Sequence, residues 1–187
     1  MAPADRAAQV SVPQKTREMQ NWICDSTRWN DFEYRDGDIV IGTWSKAGTT
    51  WLQQIVGQLV FEGAEGIPVF DVAAWIDMRI FPKDDMLAMF EAQTHRRFMK
   101  THLPVDALMF SPQAKYIYIG RDGRDVLWSW YNHHANFSPM AYEMMNDTPG
   151  LVGPKARAAT CWNRVPPSEA ASPTSPPSAV PAARATE

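Results

Sequence analysis

The sequence predicts an α/β fold built on a central parallel sheet, and three observations carry that expectation. Short β-branched apolar runs at 39–44 and 116–120 alternate with stretches whose apolar residues recur at helical spacing. The loops joining them are short, as in units that fold a helix back onto the sheet. With 45% hydrophobic residues in 187, the chain can also build a core of its own.

Asp36-Gly37-Asp38 is a turn signal, and the run Ile39 to Trp44 behind it reads as a buried parallel strand. After the loop Ser45-Lys46-Ala47-Gly48, residues Trp51, Leu52, Ile55, Val56, Leu59 and Val60 follow helical spacing until Gly63 stops them. Phe98 to Thr101, bounded by Pro104, is a short strand, and Tyr116 to Gly120 is a stronger one. A second helix carries Val126, Leu127, Trp130 and Tyr131, with Asp122 as its cap. Ahead of the first strand, Thr16 to Cys24 has the spacing of a short amphipathic helix.

Composition sets the boundaries and excludes several classes. Residues 150–187 hold seven of the 15 prolines and a single aromatic, Trp162, so they read as a disordered tail behind a domain at 21–149. Residues 1–20 read as a flexible N-terminal segment. A net charge of −3 supplies no general field for nucleic acid or an anionic membrane, so no nucleic-acid partner is expected and any anion site must be local. Two cysteines, Cys24 and Cys161, make no disulfide framework, and no ligand spacing suggests a metal. No apolar run spans a membrane and no signal core opens the chain, so a cytoplasmic setting is the expectation.

Three segments concentrate chemistry, each at the C-terminal end of an expected strand, where open α/β sheets bind ligands. The first is Lys46-Ala47-Gly48-Thr49-Thr50-Trp51. Here a lysine in a tight loop opens into a helix whose free N–H groups, positive dipole end and threonine hydroxyls converge on one anion. An ordinary turn with a capping Thr and a solvated Lys would look similar. It is not a Walker A loop, because Lys46 precedes Gly48 instead of following the second glycine of Gly-x-x-x-x-Gly-Lys-Ser/Thr. The second segment places Arg121 at a strand end and Ser129 about two helical turns later, a pair able to grip a second phosphate; helix-surface ion pairing is the plainer alternative. The third, Lys100-Thr101-His102-Leu103-Pro104, sets a histidine just past a strand, positioned as a base or simply as a structural residue.

Taken together and in order, these three segments resemble the signatures of cytosolic-type sulfotransferases. That resemblance spans about 36–139 and implies a P-loop-like, three-layer fold. It implies 3′-phosphoadenosine-5′-phosphosulfate (PAPS) as donor, no metal, and a small, hydrophobic hydroxyl or amine acceptor. Residue by residue it implies that Lys46 contacts the 5′-phosphate and the bridging oxygen. Ala47, Gly48, Thr49 and Thr50 would bind the phosphosulfate, and Trp51 would stack on adenine, although its helical register also suits core packing. Arg121 and Ser129 would hold the 3′-phosphate, with His102 as general base and Lys100 neutralising the transferring group. Phe61, Phe70, Trp75, Met78, Phe81, Met86, Met89 and Phe90 fall where the family builds its acceptor pocket, or serve as core.

The sequence also departs from the family. Ala47 stands where a serine is common, and Gly120-Arg121-Asp122-Gly123 is a variant turn. Nothing after Gly150 matches the family's basic, glycine-containing segment, so a truncated or frameshifted frame is expected, with an incomplete C-terminal side, little or no activity, and marginal stability or self-association. A non-catalytic nucleotide-binding fragment and a nucleoside-triphosphate-dependent kinase are the alternative readings.

Overall fold

The computed structural model describes residues 12–149. The expected tail at 150–187, with Cys161, and the first eleven residues lie outside the described residues. Three strands, β1 (Ile39–Thr43), β2 (Phe98–Thr101) and β3 (Lys115–Ile119), form a parallel sheet in the order β2-β1-β3. Among the described residues five α-helices accompany them: α1 (Thr49–Val60), α2 (Val69–Val72), α3 (Lys83–Glu91), α4 (Gly123–Ala135) and α5 (Pro139–Asp147). The parallel sheet and its α/β character agree with the expectation. The crossover from β2 to β3 is carried by a 3-10 turn, Val105–Ala107, and not by an α-helix.

Side chains alternate along a strand, so each face of the sheet collects its own core. Ile39, Ile41 and Phe98 pack with Leu52, Val56 and Ala73 beneath α1. Val40 and Met99 turn the other way, into a cluster with Trp29 of a 3-10 helix at Ser26–Asp31, Phe32 just after it, Ile76 from the segment before α3, and Met86 and Phe90 of α3. The result is three layers. Gly57 is mid-helix in α1, where a Cβ would stand 3.2 Å from a Val69 methyl, so the missing side chain lets α2 approach.

Three local expectations are corrected. The first strand stops at Thr43, and Trp44 is exposed beyond it. Residues 16–24 form no helix; instead the backbone N–H groups of Thr16 and Arg17 donate to the Asp106 carbonyl, and Arg17 pairs with the Asp106 carboxylate at 2.7 Å. The apolar run of α1 divides into two faces. Leu52 and Val56 are buried with Gln53 and Gly57 between them, whereas Trp51 and Leu59 stand 65% and 76% exposed. The sheet contacts only one stripe of a helix this short, and the rule of helical spacing cannot say which of two adjacent apolar stripes is chosen.

The N-terminal ends of β1 and β2 are tied by a buried ion pair. Arg97, one residue before β2, donates from Nε to Asp38 Oδ1 at 3.0 Å and from Nη2 to Asp38 Oδ2 at 2.6 Å. Arg97 and Asp38 are almost fully buried. The guanidinium also donates to the Glu33 carbonyl and to Glu91, and lies 4.9 Å over the Phe32 ring. Asp38 additionally accepts from the Arg35 N–H, and its backbone carbonyl accepts from the Lys115 N–H at the start of β3. Every nitrogen of the guanidinium and both oxygens of the carboxylate are thus engaged, the condition under which a buried ion pair holds. Replacing Arg97 with Ala strands the Asp38 carboxylate and is expected to cost about 3–5 kcal/mol. Urea unfolding checks this; a midpoint within error of wild type would show that the pair does not anchor the sheet.

Candidate functional site

The C-terminal ends of β1, β2 and β3 meet at one edge of the sheet, and the segments singled out in the sequence meet there with them. Directly after β1 the chain turns sharply, the Ala47 N–H donating to the Trp44 carbonyl at 3.1 Å. Lys46 takes the third position of this turn with φ 67°, a left-handed conformation that a non-glycine residue adopts only at a cost. Gly48 follows with φ 115°, strained for any residue with a Cβ. It is also the N-cap of α1, and no side chain caps that helix start. The first-turn N–H groups of Thr49, Thr50 and Trp51 have no acceptor within the helix, so α1 presents bare donors at its positive end. Ala47 is buried beneath the loop, and the Thr49 hydroxyl is hydrogen-bonded to the Thr43 hydroxyl. Thr49 is therefore committed to the loop's own structure. Thr50 is exposed.

His102 follows β2 and is half-buried. Its Nδ1 donates to the Thr43 carbonyl at 2.8 Å. That bond fixes the proton on Nδ1 and leaves Nε2 with a free lone pair in the neutral ring. Burial lowers the His102 pKa below its usual value, with Lys100 and Lys46 acting in the same direction and the Thr43 carbonyl and Asp77 opposing them. The imidazole is therefore held neutral, as a base at neutral pH must be.

Lys100, also half-buried, is depressed for the same leading reason, burial, with Lys46 contributing. Its ammonium stands 5.0 Å over the Trp75 ring. Among the described residues neither Lys46 nor Lys100 has a carboxylate within ion-pair distance, whereas Lys15 and Lys83 pair with Glu18 and Asp31 at 2.7 Å. Two unpaired ammonium groups and the open start of a helix converge on one place, and that place suits an anion.

The second anion segment is arranged only in part. The Arg121 Nη1 donates to the Lys46 carbonyl at 3.1 Å, so the end of β3 is fastened to the loop after β1. Its Nε lies 3.7 Å from Asp125 one turn along α4, the surface ion pairing that the sequence left open. Ser129 sits half-buried on α4 and makes no hydrogen bond to Arg121. Asp122 caps α4 as expected by accepting from the Arg124 N–H. Between α4 and the loop runs an open cleft of about 510 Å³, lined by Trp44, Ala47, Arg121, Val126, Leu127 and Trp130 among others. None of the α4 residues is buried.

Trp51 points to solvent, which excludes the core-packing alternative for it and leaves a flat indole face beside the loop. The expected acceptor-pocket residues divide. Met86 and Phe90 are core, Phe70 and Phe81 are exposed, and Trp75 meets the His102 ring edge-on at a centroid distance of 4.6 Å. His134 stacks on Trp130 at 4.7 Å and shares a hydrogen bond with the Tyr142 hydroxyl.

Sequence reasoning missed Thr43, which orients the histidine, because a hydroxyl residue ending a strand looks like any other strand residue. It also missed Asp77, a lone acid in an apolar stretch. Among the described residues no cluster of His, Cys, Asp and Glu could hold a metal ion, and no helix is long and apolar enough to cross a membrane.

The chain is 42% identical over 117 residues to the glycolipid sulfotransferase Rv1373 of Mycobacterium tuberculosis, a match covering 62% of this chain and 36% of that one. It is 34% identical over 113 residues to human sulfotransferase 2B1, covering 56% and 29%. The chain thus spans about a third of the length of these curated relatives. The crystal structure of retinol dehydratase in a complex with retinol and PAP aligns more loosely, at a TM-score of 0.49 and 20% identity over 58% of this chain and 42% of that one, and adds nothing to the assignment. The sulfotransferase domain model matches residues 36–168, running past the composition break at Gly150. The phosphate loop, the histidine segment and Arg121 all fall inside that match, and the chain belongs to the sulfotransferase domain family.

Proposed function

We propose that this chain carries the donor-binding and base segments of an enzyme that moves a sulfonate group from PAPS to a hydroxyl of a small, apolar acceptor. The observation that carries the reading is the convergence of two unpaired lysines, an uncapped helix start and a neutral histidine with its Nε2 lone pair free. PAPS, when bound, supplies the sulfonate and a phosphate leaving group. Lys46, the N–H groups of Gly48, Thr49 and Thr50, and the Thr50 hydroxyl would hold its 5′ end. Arg121 and Ser129 would hold the 3′-phosphate, with Trp51 against the purine. The residues present fit the donor: the loop backbone turns at Lys46 and Gly48, and the start of α1 leaves its donors uncapped for an anion.

His102 would take the acceptor's proton at Nε2, the Thr43 carbonyl holding the opposite nitrogen and stabilising the imidazolium that forms. Lys46 and Lys100 would neutralise charge on the leaving and peripheral oxygens. Sulfonate transfer through a loose in-line transition state asks mainly for such positioning and charge stabilisation. The name of the relatives at 42% identity, glycolipid sulfotransferase, supports the apolar character of the acceptor. The exposed Leu127 and Trp128 of α4 support self-association of the chain.

Lys46→Ala is expected to weaken binding of the product nucleotide 3′-phosphoadenosine-5′-phosphate (PAP) by about tenfold or more and to abolish transfer, because it deletes a charge-assisted donor. Calorimetry and a sulfotransfer assay measure both, and unchanged transfer would exclude the loop as donor site. His102→Ala should leave PAP affinity near wild type while lowering turnover by roughly 10²-fold or more. A collapse of PAP affinity with turnover per complex preserved would make His102 structural. Because burial lowers the His102 pKa, kcat/KM is expected to hold from neutral pH down past about 6.5, the ordinary histidine value, and to fall only on further acidification. A limb centred above that value would contradict the assignment of the base.

A further inference from the structure

Asp77 is fully buried, yet among the described residues it makes no salt bridge. A buried carboxylate without a cation in contact is costly, and such groups persist where something else depends on them. Its two oxygens accept from two indoles, Trp29 Nε1 to Oδ1 at 3.1 Å and Trp75 Nε1 to Oδ2 at 2.8 Å. Trp29 belongs to the core and is itself wholly buried, so it anchors the carboxylate. Trp75 is the half-buried partner, and its ring is the surface that both other groups touch. The His102 imidazole meets it edge-on at 4.6 Å, and the Lys100 ammonium stands over it at 5.0 Å. The strand that carries Lys100 is joined to the same segment, the Lys100 N–H donating to the Ala74 carbonyl.

We propose that Asp77 is a positioning residue, holding the Trp75 ring against His102 and Lys100 and supplying, among the described residues, the one negative charge that faces them both. The inference rests on the sulfonate-transfer reading for what those two groups do, but not for where they are held. An indole has one N–H, so the Trp75 to Asp77 bond fixes the ring's rotation and with it the wall on which the base and the ammonium rest. Among the described residues the charged groups around His102 are Lys46 from the loop after β1, Lys100 from β2 and Asp77 from the segment before α3, and of these Asp77 alone opposes the other two. Cys24, against Asp77, has its thiol pushed up by burial and by that carboxylate, and stays neutral.

The test uses the full chain and reads the His102 ring directly, by NMR of imidazole nitrogens, with His102→Gln to identify the signal. In Asp77→Asn, nearly the same shape without the charge, the His102 titration is expected to move down by about half a pH unit or more, and the acid limb of kcat/KM to move with it. Trp75→Phe keeps a ring and the charge but loses the N–H; it should leave the titration in place, leave PAP affinity within about twofold, and lower kcat by about tenfold. A folded Asp77→Asn protein with the His102 titration unmoved would overturn the proposal. Should that variant not fold, unchanged kcat in Trp75→Phe would overturn it instead. A shifted titration in a chain that transfers no sulfonate to any hydroxyl acceptor would uphold the positioning role while ending the functional reading above.

Discussion

The bidentate pair between Arg97 and Asp38 is the constraint from which the rest of the molecule can be laid out. It joins the residue before β1 to the residue before β2, and the Asp38 carbonyl receives β3 through the Lys115 N–H. With the three strands held at one end, parallel pairing sets Gly42 opposite Thr101 and Tyr118, so the three loops that follow emerge side by side. A slip of one residue would turn Val40 and Met99 into the wrong core and carry His102 away from the Thr43 carbonyl. The chemistry at one end of the sheet is therefore placed by an electrostatic clamp at the other.

At the reacting end the electrostatics are the reverse. The clamp satisfies every charge it buries; the site leaves Lys46 and Lys100 without carboxylates and lowers the Lys100 and His102 pKa values by burial. Like charges gathered this way oppose folding and favour an anion, a cost that natural proteins accept at sites of function. Asp77 tempers it from behind, through a ring instead of a direct contact.

Much of this was legible in the sequence. β-branched runs located β1 and β3, Gly63 located the end of α1, and the spacing of Lys46, His102 and Arg121 carried the family resemblance; all four depend on local chemistry that residue types declare. The errors arose where long-range packing decides. Which apolar stripe of α1 faces the sheet depends on residues from the sheet and from α2, not on α1 itself. Thr16 to Cys24 has helical spacing, but its backbone bonds to Asp106, ninety residues away, compete with a helix. Asp77 and Thr43 were invisible for a similar reason, since a carboxylate accepting two indole bonds and a carbonyl accepting an imidazole bond are meetings of distant segments.

The left-handed backbone at Lys46 has a consequence for how this loop can change. A glycine there would relieve roughly 1 kcal/mol of strain, so stability alone favours losing the lysine. Random drift or engineering toward a more robust protein would push this position in the direction that disarms it. The strain thus marks Lys46 as a residue retained against thermodynamic advantage, and thermal hardening of any such chain should treat the turn between Trp44 and Gly48 as off limits.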